Sequence, residues 1–205
     1  MTGGCVGLGG SARGVADITL YNPTRSPREV GVTVTGTEET LVDASLTVPP
    51  RATVRLHNRV VMDQRVSLAV RTGDTETTRE WRVDGTLAAT LGTEVAFETE
   101  SERATPRGTR PDGRLDVGVA AGGADRTATV RLDRGEESVF ETRRTFPADT
   151  RVVYHDRVAA TGTLAVTATT RTEEVSERVD ASGTTQVIVH LDGGFVSTVD
   201  STEAG

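Results

Sequence analysis

Residues 57–84 read HNRVVMDQRVSLAVRTGDTETTREWRVD, and residues 155–180 read HDRVAATGTLAVTATTRTEEVSERVD. Both stretches open on His-x-Arg-Val, carry Leu-Ala-Val in the middle and close on Arg-Val-Asp. Their lengths differ by two residues, which a turn between His57 and Ser67 absorbs at little cost. A stretch written twice at this separation makes the repeating unit a domain of roughly 90–100 residues, used twice.

Within the first copy, apolar residues alternate. RVSLAVR at 65–71 sets Val66, Leu68 and Val70 on one face, and residues 77–83 follow after the Thr72-Gly73-Asp74 turn. Working outward, residues 16–21, 28–35, 41–48 and 51–57 keep the two-residue period. Asn22-Pro23, Gly36-Thr37-Glu38-Glu39 and Pro49-Pro50 break it. Residues 86–99 supply a last strand, with Val95 and Phe97 facing together. Seven short strands with turns about 8–12 residues apart predict an antiparallel sandwich, and no segment shows a 3.6-residue stripe. The second unit repeats the order through 115–120, 127–132, 138–146, 152–155, 184–191 and 195–199, with Pro147 standing where Pro49 stands. The expected fold class is all-β: two tandem antiparallel β-sandwich domains from an internal duplication. Residues 1–14 form a Gly-rich tether, 15–100 the first sandwich, 101–113 a charged linker, 114–200 the second sandwich and 201–205 a frayed tail.

Composition narrows the class. Aromatics make up 3% of the 205 residues, so the core is built from Val, Leu, Ala and Thr methyls. All 23 basic residues are arginine, and against 30 Asp and Glu they leave a net charge of −7. Such a surface disfavours nucleic acid, which needs a basic face. No apolar run reaches the ~18 residues needed to cross a bilayer. The acidic, lysine-free composition resembles proteins of salt-loving archaea; a high-GC genome is the alternative source of the arginine bias.

The alternating strands, with a proline ending one in mid-domain, resemble immunoglobulin-like and fibronectin type III-like modules of archaeal and bacterial envelope proteins. The resemblance is architectural, and the Cys–Trp–Cys signature of antibody domains is missing. It implies adhesion, spacing or partner binding. Cys5, in Thr-Gly-Gly-Cys-Val-Gly, resembles the lipid-acceptor cysteine of a lipobox, followed by a Gly/Ser tether. No charged or apolar leader precedes it in this sequence, and an inert cysteine is the other reading. Together these imply a chain on the extracellular side of the membrane, lipid-anchored through Cys5.

Motifs for chemistry are weak. His57 and His155 occupy equivalent places in separate units, and neither has a second histidine near it as a zinc site requires. They are read as structural residues, with His57-Asn58-Arg59 and His155-Asp156-Arg157 as a shared turn. His190 is placed on a strand face with Ile188. No nucleophile elbow, phosphate loop or calcium loop is present. The pairs Glu38-Glu39, Glu136-Glu137 and Glu173-Glu174 are read as solvated turns, and Asp112-Gly113 and Asp192-Gly193 as linker or hairpin turns. Trp81 marks a partner contact if it faces solvent and a core ring if it does not. No catalytic residue, metal or cofactor is expected. The function expected is a non-enzymatic envelope protein presenting two modules for structural or protein-binding work. The alternative is a carbohydrate- or metal-binding accessory module of a secreted enzyme system.

If the acidic, lysine-free composition is an adaptation to salt, the thermal midpoint is higher in molar KCl than in dilute buffer. Equal midpoints in the two buffers would remove the halophilic reading.

Overall fold

A computed structural model describes residues 15–99 and 113–200, which form sixteen strands. In the first half these are β1 (Val15–Asn22), β2 (Arg28–Thr35), β3 (Thr40–Val48), β4 (Ala52–Val61), β5 (Arg65–Thr72), β6 (Thr75–Arg82), β7 (Leu87–Leu91) and β8 (Val95–Thr99). In the second they are β9 (Arg114–Ala120), β10 (Arg126–Arg134), β11 (Glu137–Phe146), β12 (Thr150–Ala159), β13 (Thr163–Thr169), β14 (Glu174–Asp180), β15 (Thr184–His190) and β16 (Phe195–Asp200). The alternation read from the sequence is the alternation that is buried. Val30, Val32 and Val34 of β2, and Val66, Leu68 and Val70 of β5, all face the core. The span 86–99 holds two strands rather than one, turning at Gly92-Thr93-Glu94, so each half has eight strands.

The strands form one eight-stranded sheet, in the order β16-β15-β9-β12-β4-β1-β7-β8, and two four-stranded sheets, β3-β2-β5-β6 and β11-β10-β13-β14. Each half thus contributes a four-stranded sheet of its own and four strands of the large sheet, in the same connection order. The sandwich class holds, but the strand order is not that of an immunoglobulin domain. The first strand of each half lies between two others and pairs in parallel with the seventh, β1 with β7 and β9 with β15.

The halves meet edge to edge. β4 and β12 pair antiparallel with Val54 opposite Val152, flanked by Thr53 opposite Val153 and Arg55 opposite Arg151. Val54 and Val152 are also corresponding residues, so an approximate two-fold axis passes between them. Two linking strands that would otherwise be exposed sheet edges thereby satisfy each other's backbone groups. The buried side chains of both halves join in one connected cluster.

The twice-written His-x-Arg motif sits at this seam, and it is a bulge inside a strand rather than a turn. On β1, Ala16 is opposite Val60 and Ile18 is opposite Leu56, so Asp17 faces His57-Asn58-Arg59. On β9, Asp116 faces His155-Asp156-Arg157 in the same way. Asp156 has φ of 52°, the left-handed conformation that its residue type tolerates. Each motif reaches the other half. The His57 amide donates to the Asp149 carbonyl at 3.0 Å, and the His155 amide to the Arg51 carbonyl at 3.2 Å. The Arg59 guanidinium donates to the Ala148 carbonyl at 3.1 Å, and Arg157 to the Pro50 carbonyl at 2.5 Å. The acceptors lie on corresponding turns, 49–51 and 147–149, and both end on a residue of positive φ.

The repeat register also needs correction. Val66 lies opposite Trp81 and Leu164 opposite Val179, so Val66, and not the Leu68 of the shared Leu-Ala-Val, corresponds to Leu164, and Trp81 corresponds to Val179. No deletion occurs between His57 and Ser67; the turns 62–64 and 160–162 are equally long. A two-residue slip leaves every side chain on the same face, so alternation alone does not detect it. Trp81 is 4% exposed and part of the core, so it is not a solvent-facing contact.

Buried Asn22, the last residue of β1, holds the β1–β2 corner. Its amide donates to the carbonyls of Ser26, Val48 and Pro49, and its oxygen accepts from the Thr24 amide and hydroxyl. That network ties the corner to the end of β3 and leaves no polar atom of the side chain orphaned.

Because the halves share a sheet and a core, they are expected to unfold together. Trp81 fluorescence reports the first half and far-ultraviolet circular dichroism reports both. The two urea transitions should coincide within error; a fluorescence midpoint displaced from the dichroism midpoint would show that the seam does not couple the halves.

Candidate functional site

Among the described residues, two groups of polar side chains flank the seam. The first lies on the face of the large sheet turned away from the core. Here His155 Nδ1 is hydrogen-bonded to the Asp116 carboxylate at 3.0 Å, and its Nε2 to the Thr53 hydroxyl at 2.7 Å. The same carboxylate accepts the Asp156 amide at 3.0 Å, and Asp116 is 3% exposed. Tyr21 meets the His155 ring edge-on at 5.8 Å. The corresponding pair in the first half is His57 Nδ1 to Asp17 at 3.2 Å, where Arg55 also binds the carboxylate at 2.9 Å. Each Asp–His pair pins one bulge, which explains both histidines without a ligand.

The two pairs stay apart. Arg51, whose carbonyl receives the His155 amide, precedes β4 and lies six residues from His57, about 20 Å of extended chain. His190 is on the same outer face, as its alternation predicts. Its ring stacks on Phe195 at 4.2 Å and its Nε2 bonds the Ser197 hydroxyl at 2.9 Å. Burial, then the charge of Arg151, lower its pKa, and Asp192 offsets part of this. Burial, followed by the neighbouring Arg55, lowers the pKa of Arg151. Among the described residues no group of three or more His, Asp, Glu or Cys could hold a metal ion. Glu38, Glu39, Glu136, Glu137, Glu173 and Glu174 are exposed, in or beside turns. Cys5 and Asp112, with the tether, most of the linker and the tail, lie outside the described residues.

The second place is a groove of about 740 Å³ on the other side of the seam, between the two smaller sheets. Pro27, Thr47, Pro49 and Pro50 of the first half form one wall, and β11 forms the other. Tyr154 and Arg157 of β12 complete the lining. The Phe140 and Tyr154 rings meet edge-to-face at 5.2 Å, and the Tyr154 hydroxyl bonds the Thr142 hydroxyl at 3.0 Å. Arg144 spans the groove end, donating to the Thr47 carbonyl at 2.7 Å with its guanidinium 5.6 Å from the Phe146 ring. Arg157 Nε, like the Nε of Arg126, Arg134 and Arg151, is buried with no hydrogen-bond partner among the described residues. Glu141, Arg143 and Thr145 are exposed along the rim.

The first half has no such lining. Strand register pairs Val30 with Leu46 and Ala128 with Arg144, so Leu46 corresponds to Arg144. By the same register, Val42 corresponds to Phe140, Ala44 to Thr142 and Ser45 to Arg143. Leu56 stands where Tyr154 does. Buried Val42, Leu46 and Leu56, half-buried Ala44 and exposed Ser45 in one half are thus exchanged for aromatic, hydroxyl and guanidinium groups in the other. That contrast was visible in the aligned repeats. Its importance was not, because the sequence does not place the Pro49-Pro50 turn against β11.

No protein-family model matches the chain, and no curated protein matches it by sequence. Among solved structures, the chain is similar to a carbohydrate-binding module of family CBM26 from Eubacterium rectale Amy13K, determined in complex with maltoheptaose. That match has a TM-score of 0.30 and 10% identity, over 90% of this chain and 97% of the other. A likeness this slight carries no argument about either fold or function.

The Asp–His pairs make a test of their structural role. Asp116→Ala leaves a ring nitrogen and a backbone amide without an acceptor in a buried place. It should cost about 2–3 kcal/mol in urea denaturation. Asp17→Ala, at a more exposed carboxylate, should cost about 1 kcal/mol. Losses below about 0.5 kcal/mol for Asp116→Ala would show that the carboxylate does not hold the bulge.

Proposed function

We propose that the protein is a non-enzymatic binding module that seats an oligosaccharide in the groove between its halves. One observation carries the reading: β11 and β12 line the groove with Phe140, Thr142, Arg143, Arg144 and Tyr154, where the first half has Val42, Ala44, Ser45, Leu46 and Leu56. A packing surface has been exchanged for rings that offer apolar faces and for polar groups that fix orientation. That is the make-up of a ligand cleft, and the volume falls within the ~300–1,000 Å³ of such sites. Sugars suit it because their apolar C–H faces pack on rings while their hydroxyls bond threonine, glutamate and arginine. The prolines of the opposite wall hold that wall in a fixed shape, which limits the ordering cost of binding.

Protein binding is the second reading, favoured by one observation. β11 is an edge strand of its sheet and lies along the groove, so an extended peptide could add to it. The two differ in dependence on the rings, since strand addition draws on backbone groups.

An extracellular location, with anchoring through Cys5, belongs to the same proposal and rests on the small residues around that cysteine. Native protein should then carry lipid on Cys5 in the membrane fraction; unmodified Cys5 in the soluble fraction would remove the anchor.

The binding test is titration calorimetry against a panel of neutral and acidic oligosaccharides. Phe140→Ala is expected to weaken glycan binding at least tenfold while the fold survives, since Phe140 is only half-buried. No saccharide binding at millimolar concentration would overturn the glycan reading, and peptide binding that survives Phe140→Ala would favour the second.

A further inference from the structure

We infer that the groove selects acidic oligosaccharides, those carrying uronic-acid carboxylates, over neutral ones; this rests on the glycan reading above. Three guanidinium groups line the groove, from Arg143, Arg144 and Arg157, against one carboxylate, from Glu141. This local excess of positive charge stands in a chain whose net charge is −7. Charges beyond a Debye length of about 8 Å are largely screened at physiological ionic strength, so the arginines in the groove outweigh the distant acidic surface.

The geometry of these arginines favours a planar anion. Arg144 and Arg157 each spend a terminal nitrogen on a carbonyl of the opposite wall, Thr47 and Pro50 respectively. These bonds hold the guanidinium planes in fixed orientations at the seam. Arg143 is exposed on the rim of the same strand, free of the core and able to meet a carboxylate in the two-pronged geometry that guanidinium groups favour.

The correspondence between halves points the same way. Arg143 and Arg144 replace Ser45 and Leu46, whereas Arg157 has a counterpart in Arg59 that serves the seam clamp. Two of the three arginines are therefore particular to the half that carries the groove. Leu46 is buried in its own half, so an arginine at the corresponding position gives up packing that the first half keeps.

The experiment is calorimetric titration of the full chain with heptagalacturonate and with maltoheptaose, a neutral oligomer of the same length. The acidic oligomer should bind at least tenfold more tightly, and its affinity should fall as KCl is raised. Arg143→Gln, an exposed substitution, and Arg144→Gln should each weaken heptagalacturonate binding at least fivefold, and weaken it more than maltoheptaose binding. Equal affinity for the two oligomers, or preference for the neutral one, would overturn the acidic selectivity and leave the glycan groove standing. Heptagalacturonate binding unchanged in both arginine variants would place the acid site elsewhere and overturn the inference. Binding of neither oligomer would overturn the glycan reading, and the inference with it. Urea midpoints of the variants separate lost binding from lost folding.

Discussion

The backbone pairing of β4 with β12 is the constraint on which the rest of the molecule depends. Val54 and Val152 are corresponding residues and also direct partners, so the register of this one ladder defines the relation between the halves. Side chains reinforce it from both ends. His57 and His155 extend the amide ladder beyond the paired residues, and Arg59 and Arg157 grip the opposing turns. The Asp–His pairs hold the bulges that aim those arginines. A repeated motif that looks like a relic of duplication is the device that docks the two units.

The seam also explains how a chain with few aromatic rings makes one connected core. A unit of about 100 residues buries only about 60–65% of its unfolded surface and is marginal alone. Sharing a sheet lets the two units bury the flanks of β4 and β12 and join their apolar clusters. The seam brings the Pro49-Pro50 turn against β11 as well, and the groove is the space left between them. Its lining could diverge because positions on β11 that face this space are not needed to fill a closed core. In the first half the corresponding positions on β3, Val42 and Leu46, remain buried.

Much of the fold was legible before the structure. The two-residue period of Val30, Val32 and Val34 marks a buried strand face by local geometry alone, and Asn22-Pro23 and Pro49-Pro50 mark corners because proline cannot donate to a ladder. Other features were not legible. Residues 86–99 were read as one strand although the corresponding 184–191 and 195–199 show two, since Gly92 and Thr93 are weaker breaks than Asp192-Gly193-Gly194. The repeated Leu-Ala-Val and Arg-Val-Asp favour a register two residues from the structural one, which sets Trp81 against Val179. Asp17 and Asp116 carry no signal in the sequence because each lies about 40 residues from its histidine, a partnership only the sheet creates.

The sequence by itself determined the all-β class, the corners, the inward faces and the existence of a repeat, because these follow from local sterics and the pleat. Only the tertiary structure decided the parallel pairing of β1 with β7, the fused sheet, the repeat register and the groove. The physical reason is that strand pairing is made by backbone groups that every residue carries. A slip of two residues keeps each side chain on its face, so the pattern of residues does not distinguish the partners, and the closing of the whole sheet does.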